Sequence, residues 1–235
     1  MRMIKIKNIE KTYIKASVLT PVLCGITLSI QRGEYVAIMG TSGTGKSTLM
    51  NIIGCLDKPT SGQLELDGID VYKLDDDTPS SLRNNKIGFV FQQFFLLERT
   101  TALDNVLLPF IYADKYPADA IQRAKKTLAN VGLEDRTEYL ANELSGGQQQ
   151  RVAIARALIN DPDVILADEP TGNLDSTSTA EILEIFNRLN KEGRTIVVVT
   201  HDRAVAEHAQ RILELKDGLI TENGTNPNTE NSDIH

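Results

Sequence analysis

Residues 35–56 constrain this chain more than any other stretch. An apolar run, Tyr35-Val36-Ala37-Ile38-Met39, enters Gly40-Thr41-Ser42-Gly43-Thr44-Gly45-Lys46-Ser47, and Thr48 to Leu56 leave it. In the exit segment Leu49, Ile52, Ile53 and Leu56 fall at i, i+3, i+4 and i+7, one face of a helix. The pattern predicts strand, glycine loop and helix in that order, the context that separates a phosphate loop from a chance glycine run. The glycines remove Cβ atoms and permit positive φ, so successive backbone N–H groups can line a concavity for phosphate oxygens. The start of the helix adds free N–H groups and the positive end of its dipole. Lys46 is spaced to reach the β- and γ-phosphates, and the Ser47 hydroxyl to ligate Mg²⁺. The stretch predicts a site for a nucleoside triphosphate.

Bulk properties narrow the class of partner. The 235 residues are enough for one sizeable domain, or a domain with an inserted lobe, around a real core. A net charge of −7 without a Lys/Arg run argues against nucleic acid, which needs a basic face. Cys24 and Cys55 both sit in apolar surroundings in the sequence, and two buried free thiols are expected. With no apolar run near 18 residues and no signal-peptide pattern, a cytoplasmic chain is expected, and any membrane spans must come from another chain.

Strands are read at residues 3–9, 18–30, 63–66, 87–91, 163–169 and 195–200, the last nearly all apolar, as in a parallel sheet buried on both faces. From Gln92 to about residue 160 the reading is helical, and this stretch inserts a helical lobe into an α/β core. Thr101-Ala102-Leu103-Asp104 resembles a capping box, Pro109 kinks or ends the helix it starts, and Ile121, Ala124, Leu128 and Val131 line the next helix. Asp75-Asp76-Asp77 reads as a solvated loop, because adjacent carboxylates do not converge on one ion. Residues 222–235 are polar and read as a mobile tail.

Two further stretches carry chemistry. Val164 to Ala167 deliver Asp168 and Glu169 at the carboxyl end of a strand, where ligands gather in an open α/β sheet. One carboxylate can hold Mg²⁺ and the next can polarise an attacking water. Leu144-Ser145-Gly146-Gly147-Gln148 precedes a helix whose Val152, Ala155, Leu158 and Ile159 are apolar, with Ser145 as its N-cap. It is a second anion-binding helix start in one chain.

Together these residues resemble the ATP-binding cassette ATPases, the motor subunits of ABC transporters, over residues 4 to about 220. The resemblance rests on the phosphate loop, Gln92, the LSGGQ signature at 144–148, Asp168-Glu169, Asn173-Leu174-Asp175, and His201 after an apolar strand. Residues 51–57, 89–94 and 167–172 are similar to the subgroup of MacB- and LolD-type cassettes that serve macrolide efflux and lipoprotein release. Thr41 and Thr44 stand where Pro and Ser are commoner in that family. Both positions act through backbone N–H groups, so nucleotide binding is still expected.

The resemblance implies an α/β fold: a P-loop NTPase (RecA-like) core with an antiparallel β subdomain and an inserted helical subdomain. The core would take residues 1–93 and 161–221, the helical subdomain 94–160, and the tail 222–235. Tyr13 would stack on adenine; Gly40, Thr41, Ser42, Gly43, Thr44, Gly45, Lys46, Ser47 and Thr48 would hold the phosphates. Ser47, Gln92 and Asp168 would serve Mg²⁺; Glu169, His201 and Gln92 would serve hydrolysis. Leu144, Ser145, Gly146, Gly147, Gln148 and Asp175 would meet the ATP of a second copy, in a head-to-tail homodimer closed by two ATP. The partner implied is an integral membrane permease of a MacB/FtsX-like type, at the inner face of the cell membrane. The segment after Gln92, with Phe94-Phe95-Leu96-Leu97, would face that permease or pack in the helical lobe. Cargo transport and permease-coupled signalling use the same motor residues, and both remain open from sequence. Repair-type cassettes insert long coiled coils between the two glycine motifs. Residues 48–143 show no sustained heptads, and the charge is acidic.

Overall fold

The computed structural model describes residues 1–15, 18–73, 78–112 and 116–225. The chain opens with an antiparallel hairpin, β1 (Arg2–Lys15) and β2 (Val18–Gln31). It continues through β3 (Tyr35–Met39), α1 (Lys46–Ile53), β4 (Ser61–Leu66) and β5 (Ile69–Asp70). There follow α2 (Thr78–Lys86), β6 (Ile87–Phe91), α3 (Ala102–Leu107), α4 (Ala120–Asn130) and α5 (Gly146–Leu158). The last part holds β7 (Val164–Asp168), α6 (Ser176–Lys191), β8 (Thr195–Thr200), α7 (Arg203–Ala206), β9 (Arg211–Lys216) and β10 (Leu219–Thr225).

The strands form two sheets. One is antiparallel with order β2-β1-β4-β5; the other has order β10-β9-β3-β8-β7-β6. In the second, β9, β3, β8, β7 and β6 run parallel and β10 closes one edge antiparallel. Side chains alternate across a strand, so a strand covered on both faces must be apolar at every position. Ala37, Ile165, Ala167, Ile196 and Val198 pack in the cluster that holds α3 to α6. Their neighbours Val36, Ile38, Val164, Leu166, Val197 and Val199 pack in the cluster with α1 and the antiparallel sheet. In register, Met39 stands beside Thr200, Val199 beside Asp168, and Asp168 beside Phe91. The carboxyl ends of β3, β6, β7 and β8 therefore lie level along one edge.

Several expectations are corrected. Residues 92–101 contain no helix; the loop is held by Asn105, fully buried on α3, which accepts from Leu97 N at 2.8 Å and donates to Leu97, Thr100 and Thr101. Thr101 does cap α3, accepting from Asp104 N at 3.0 Å, but Asp104 returns to the Thr101 hydroxyl and not to its backbone. The expectation at Pro109 holds: α3 ends at Leu107, and Pro109 falls in the 3₁₀ turn Leu108–Tyr112 that follows. Ile121 is 56% exposed, and Ala120 takes its place with Ala124, Leu128 and Val131. Both registers have helical spacing, and the one with the smaller residue packs against α3 and α5. Cys24 is exposed, because it follows the inward Leu23 on β2, and a bulge at Gly25 (φ +95°) then brings Ile26 back inward; Cys55 is buried, and both are free. β10 reaches Thr225, into the segment read as tail. Residues 226–235 and Asp75-Asp76-Asp77 lie outside the described residues.

At the opposite edge from those strand ends, four charges alternate in a ring. Arg32 bonds Asp163 at 2.7 Å and Asp67 at 2.6 Å; Lys86 bonds Asp163 at 2.7 Å and Asp67 at 3.2 Å. The ring joins the turn before β3, the β4–β5 turn, the end of α2 and the start of β7. Arg32, then Lys86, hold Asp67 below its usual range, and for Asp163 the bonds to Lys86 and Arg32 outweigh burial and lower it too. A carboxylate depressed in the folded state stabilises above its unfolded pKa, and that contribution is lost as pH falls through the folded value. Asp163→Asn should therefore be less stable than wild type at neutral pH. The gap in urea midpoint should close as the solution is acidified through the carboxylate range.

Gly62 shows where the antiparallel sheet has no slack. Its φ is +98°, and a Cβ there would stand 2.3 Å from the Asn8 carbonyl oxygen. Both the conformation and the backbone contact oppose any side chain. Gly62→Ala should cost about 2–4 kcal/mol, read as a lower urea midpoint at unchanged m-value.

Candidate functional site

The glycine loop follows β3 and ends on α1. Gly45 has φ +99°, and a Cβ there would meet Val22 Cγ1 at 2.9 Å, so the loop passes tightly over β2. The Thr44 hydroxyl donates to Thr41 O at 2.9 Å and closes the loop on itself. Lys46 is 8% exposed, and its ammonium donates to Gly40 O at 2.7 Å and Thr41 O at 3.0 Å. A cation satisfied by two loop carbonyls is ready to exchange them for anionic oxygens.

β7 supplies the carboxylates. Asp168 Oδ1 is buried without a protein partner. Burial raises the Asp168 pKa, the Ser47 hydrogen bond opposes that rise, and the Glu169 charge adds to it. Glu169 leaves the strand at φ +44°, with its N–H on Val199 O at 2.8 Å. The reversal turns its carboxylate away from Asp168 and onto the end of β8. There Oε2 accepts from the Thr200 hydroxyl at 3.1 Å, and Oε1 accepts from His201 N at 3.1 Å. His201 Nδ1 lies 2.7 Å from Oε1, a contact that selects the tautomer with its proton on Nδ1. Gln92, at the end of β6, donates to Asn173 Oδ1 at 3.2 Å, and Asn173 donates back to Gln92 O at 3.1 Å.

One cavity of about 1010 Å³ is lined by the loop from Gly40 to Thr48 except Thr44, together with Gln92, Asp168, Glu169 and His201. Val22, Met39, Arg203, Ile212 and Glu214 also line it, and sequence spacing did not point to them. Leu144 to Gln148, Asp175 and Tyr13 are not among its lining residues. Tyr13 is half exposed on the hairpin; its hydroxyl donates to Asp57 at 2.8 Å, and the Lys11 ammonium lies 4.8 Å from its ring centre. Ser145 caps α5 with a full capping box: its hydroxyl accepts from Gln148 N, and Gln148 Oε1 accepts from Ser145 N. Asp175 caps α6, accepting from Ser178 N at 2.9 Å. The two capped starts lie together, since a Cβ on Gly147 would stand 2.5 Å from the Ser178 hydroxyl.

The family profile described as ABC transporter matches residues 23–172. The chain belongs to the ABC transporter family. It is similar to the ABC transporter ATP-binding protein YvrO of Bacillus subtilis, 54% identical over 93% of this chain and 95% of that one. It is also similar to the macrolide export ATP-binding/permease protein MacB of Campylobacter fetus, 53% identical over 93% of this chain. There the chain spans about a third of its relative, 34%. Among solved structures it resembles the dimeric ABC transporter cassette MJ0796, at TM-score 0.85 and 50% identity over 94% of this chain and 97% of that one. The same cassette in a dimeric post-hydrolysis state bound to ADP and Pi also aligns at TM-score 0.85, with 48% identity over 94% and 98% of the two chains.

This ABC cassette has the P-loop NTPase core expected of it, and no helix among its described residues is long and apolar enough to cross a membrane. Its oxygens suit a hard divalent cation. Asp168 brings a buried, unpartnered carboxylate oxygen and Ser47 a neighbouring hydroxyl. Among the described residues no three His, Cys, Asp or Glu side chains gather for a metal. Few protein ligands is what Mg²⁺ takes where substrate phosphates complete its shell. Sequence spacing missed the polar links behind the site. Gln150 is fully buried between β6 and β7, and Arg156 donates to Phe94 O and Phe95 O. Both sit where a helix pattern expects a surface or core residue, so periodicity carries no signal for them.

Proposed function

We propose that this cassette binds and hydrolyses ATP as a head-to-tail dimer, and that the dimer drives a separate membrane permease of efflux or lipoprotein-release type. The observation that carries the reading is an asymmetry within one chain. Gln92, Asp168, Glu169 and His201 line the cavity of the glycine loop, whereas the second phosphate-type helix start, at Ser145, stands outside it. A twofold partner gives that second start an ATP to meet. The dimeric state of MJ0796, and its ADP and Pi, support the same arrangement here.

In this reading the glycine loop and Lys46 bind the triphosphate, and Tyr13 stacks on adenine with its hydroxyl anchored by Asp57. Ser47, Asp168 and Gln92 would hold Mg²⁺, whose charge offsets that of the β- and γ-phosphate oxygens. Glu169 accepts a hydrogen bond from the attacking water, and His201 keeps that carboxylate in place and contacts the γ-phosphate. Ser145, Gly146 and Gly147 of one subunit, with Asp175 near the joint, close on the ATP of the other. Residues 1–93 and 161–221 form the core and 94–160 the helical subdomain. Phe95 and Leu97, 62% and 50% exposed, face the permease, held out by the Arg156 bonds beneath them. MacB relatives carry ATP-binding and permease activities under one name, which supports coupling to a permease here.

The test is the mass of Glu169→Gln in solution by light scattering, with and without Mg-ATP. A monomer that becomes a dimer only with ATP is the expected result, and Ser145→Arg in the same background should abolish it. A Ser145→Arg protein that still dimerises with ATP would remove the trans site from the reading.

A further inference from the structure

Gln150 is a buried polar side chain that the proposed chemistry leaves unexplained. It lies on α5, five residues after Ser145, and is 0% exposed. Its amide nitrogen donates to Phe91 O at 3.3 Å and to Pro170 O. Phe91 immediately precedes Gln92, and Pro170 immediately follows Glu169. One side chain thus bridges the strand ends that carry the glutamine and the carboxylate of the cavity. With two carbonyls on one end of the amide, only the nitrogen can face them, so the orientation is decided. The other end, Oε1, is buried and has no protein partner.

For stability alone this is a poor choice. A buried acceptor without a donor is costly, and an apolar side chain of the same shape would avoid that cost. A half-satisfied buried amide in a native site therefore points to a role other than packing. We propose that Gln150 is a positioning residue that ties the Ser145 segment to Gln92 and Glu169 of the same chain. A displacement at the start of α5, where the partner's ATP is met, then reaches the chain's own catalytic carboxylate through one rigid turn of helix and two hydrogen bonds. This deepens the dimeric ATPase reading and rests on it.

The experiment uses the full chain with Gln150→Met, which keeps the length and volume of the side chain and removes both bonds. Rates are compared per folded molecule, with the folded fraction read by circular dichroism at the assay temperature. The expected result is a Tm equal to or above wild type, KM for ATP within about twofold, and kcat lower by about tenfold, the equivalent of ~1.4 kcal/mol. Combined with Ser145→Ala, the loss should be less than the product of the single losses, because both act through one link. If Gln150→Met does not fold, Gln150→Asn, which retracts the amide by one methylene, carries the same comparison. An unchanged kcat, a loss accounted for by unfolded protein, or losses that multiply would each overturn the proposal. Wild-type hydrolysis is measured beside them. If wild type does not hydrolyse ATP, it is the ATPase reading that fails, and that failure is seen before any variant is compared.

Discussion

Glu169→Gln should lower ATP turnover by roughly 10²–10⁴-fold and leave ATP affinity within about threefold, the range expected on the proposed reading of Glu169 as a positioned general base. The magnitude follows from what the carboxylate touches. Its oxygens accept from Thr200, from His201 N and from His201 Nδ1, so three protein donors hold it at the end of β8. The amide keeps the shape and can still accept from His201, while the Thr200 hydroxyl rotates to accept from the new NH₂ group. Folding and the phosphate loop are therefore preserved, and what is lost is the basicity that a bound water would meet. Single-turnover hydrolysis beside an equilibrium ATP-binding measurement separates the two. Turnover within tenfold of wild type would show that another group orients the water.

The parts of the molecule that sequence makes legible are those whose chemistry is local. Gly40 to Ser47, Asp168-Glu169 and Ser145 each announce themselves by residue type and spacing, and each lies where a strand or loop meets a helix or turn. The buried strands are legible too, since cover on both faces forces Thr195–Thr200 and Val164–Ala167 to be continuous in apolar character. What is not legible is the choice between equal patterns. Ile121 and Ala120 fit the same helical face, and only the neighbours α3 and α5 decide which is buried. Cys24 looks apolar in its surroundings, yet it stands next to the inward Leu23 on β2, just before the bulge at Gly25, and faces outward. The polar links are hidden for a related reason. Gln150 and Arg156 satisfy carbonyls 20 to 62 residues away in sequence, and no short window contains both partners. Propensity also misleads at residues 92–101, where a buried asparagine holds an irregular loop that hydropathy reads as helix.

Lys46→Ala should weaken ATP binding by about 10²-fold or more and abolish hydrolysis at ordinary ATP concentrations, while leaving the Tm of the nucleotide-free protein close to wild type. Charge-assisted hydrogen bonds contribute about 1.5–3 kcal/mol, and this ammonium can make more than one to phosphate oxygens. Its present partners are loop carbonyls, Gly40 O and Thr41 O, which face the cavity and are solvated when it is gone, so little folding energy is lost. The variant also has an electrostatic signature. Burial raises the pKa of Asp168 and the Lys46 charge opposes that rise, so removing Lys46 moves Asp168 further up. A raised carboxylate is protonated sooner as pH falls, and only its ionised form suits a divalent cation. Residual activity at saturating ATP should therefore disappear at a higher pH than in wild type. Equilibrium dialysis with ATP, thermal melts and an acid-limb rate profile test the three parts in turn. ATP affinity within threefold of wild type would place the phosphate site elsewhere than the glycine loop. Set beside Glu169→Gln, which in the proposed reading keeps binding and loses chemistry, Lys46→Ala should lose binding first, and the pair would divide the cavity into a part that holds the phosphates and a part that cleaves them.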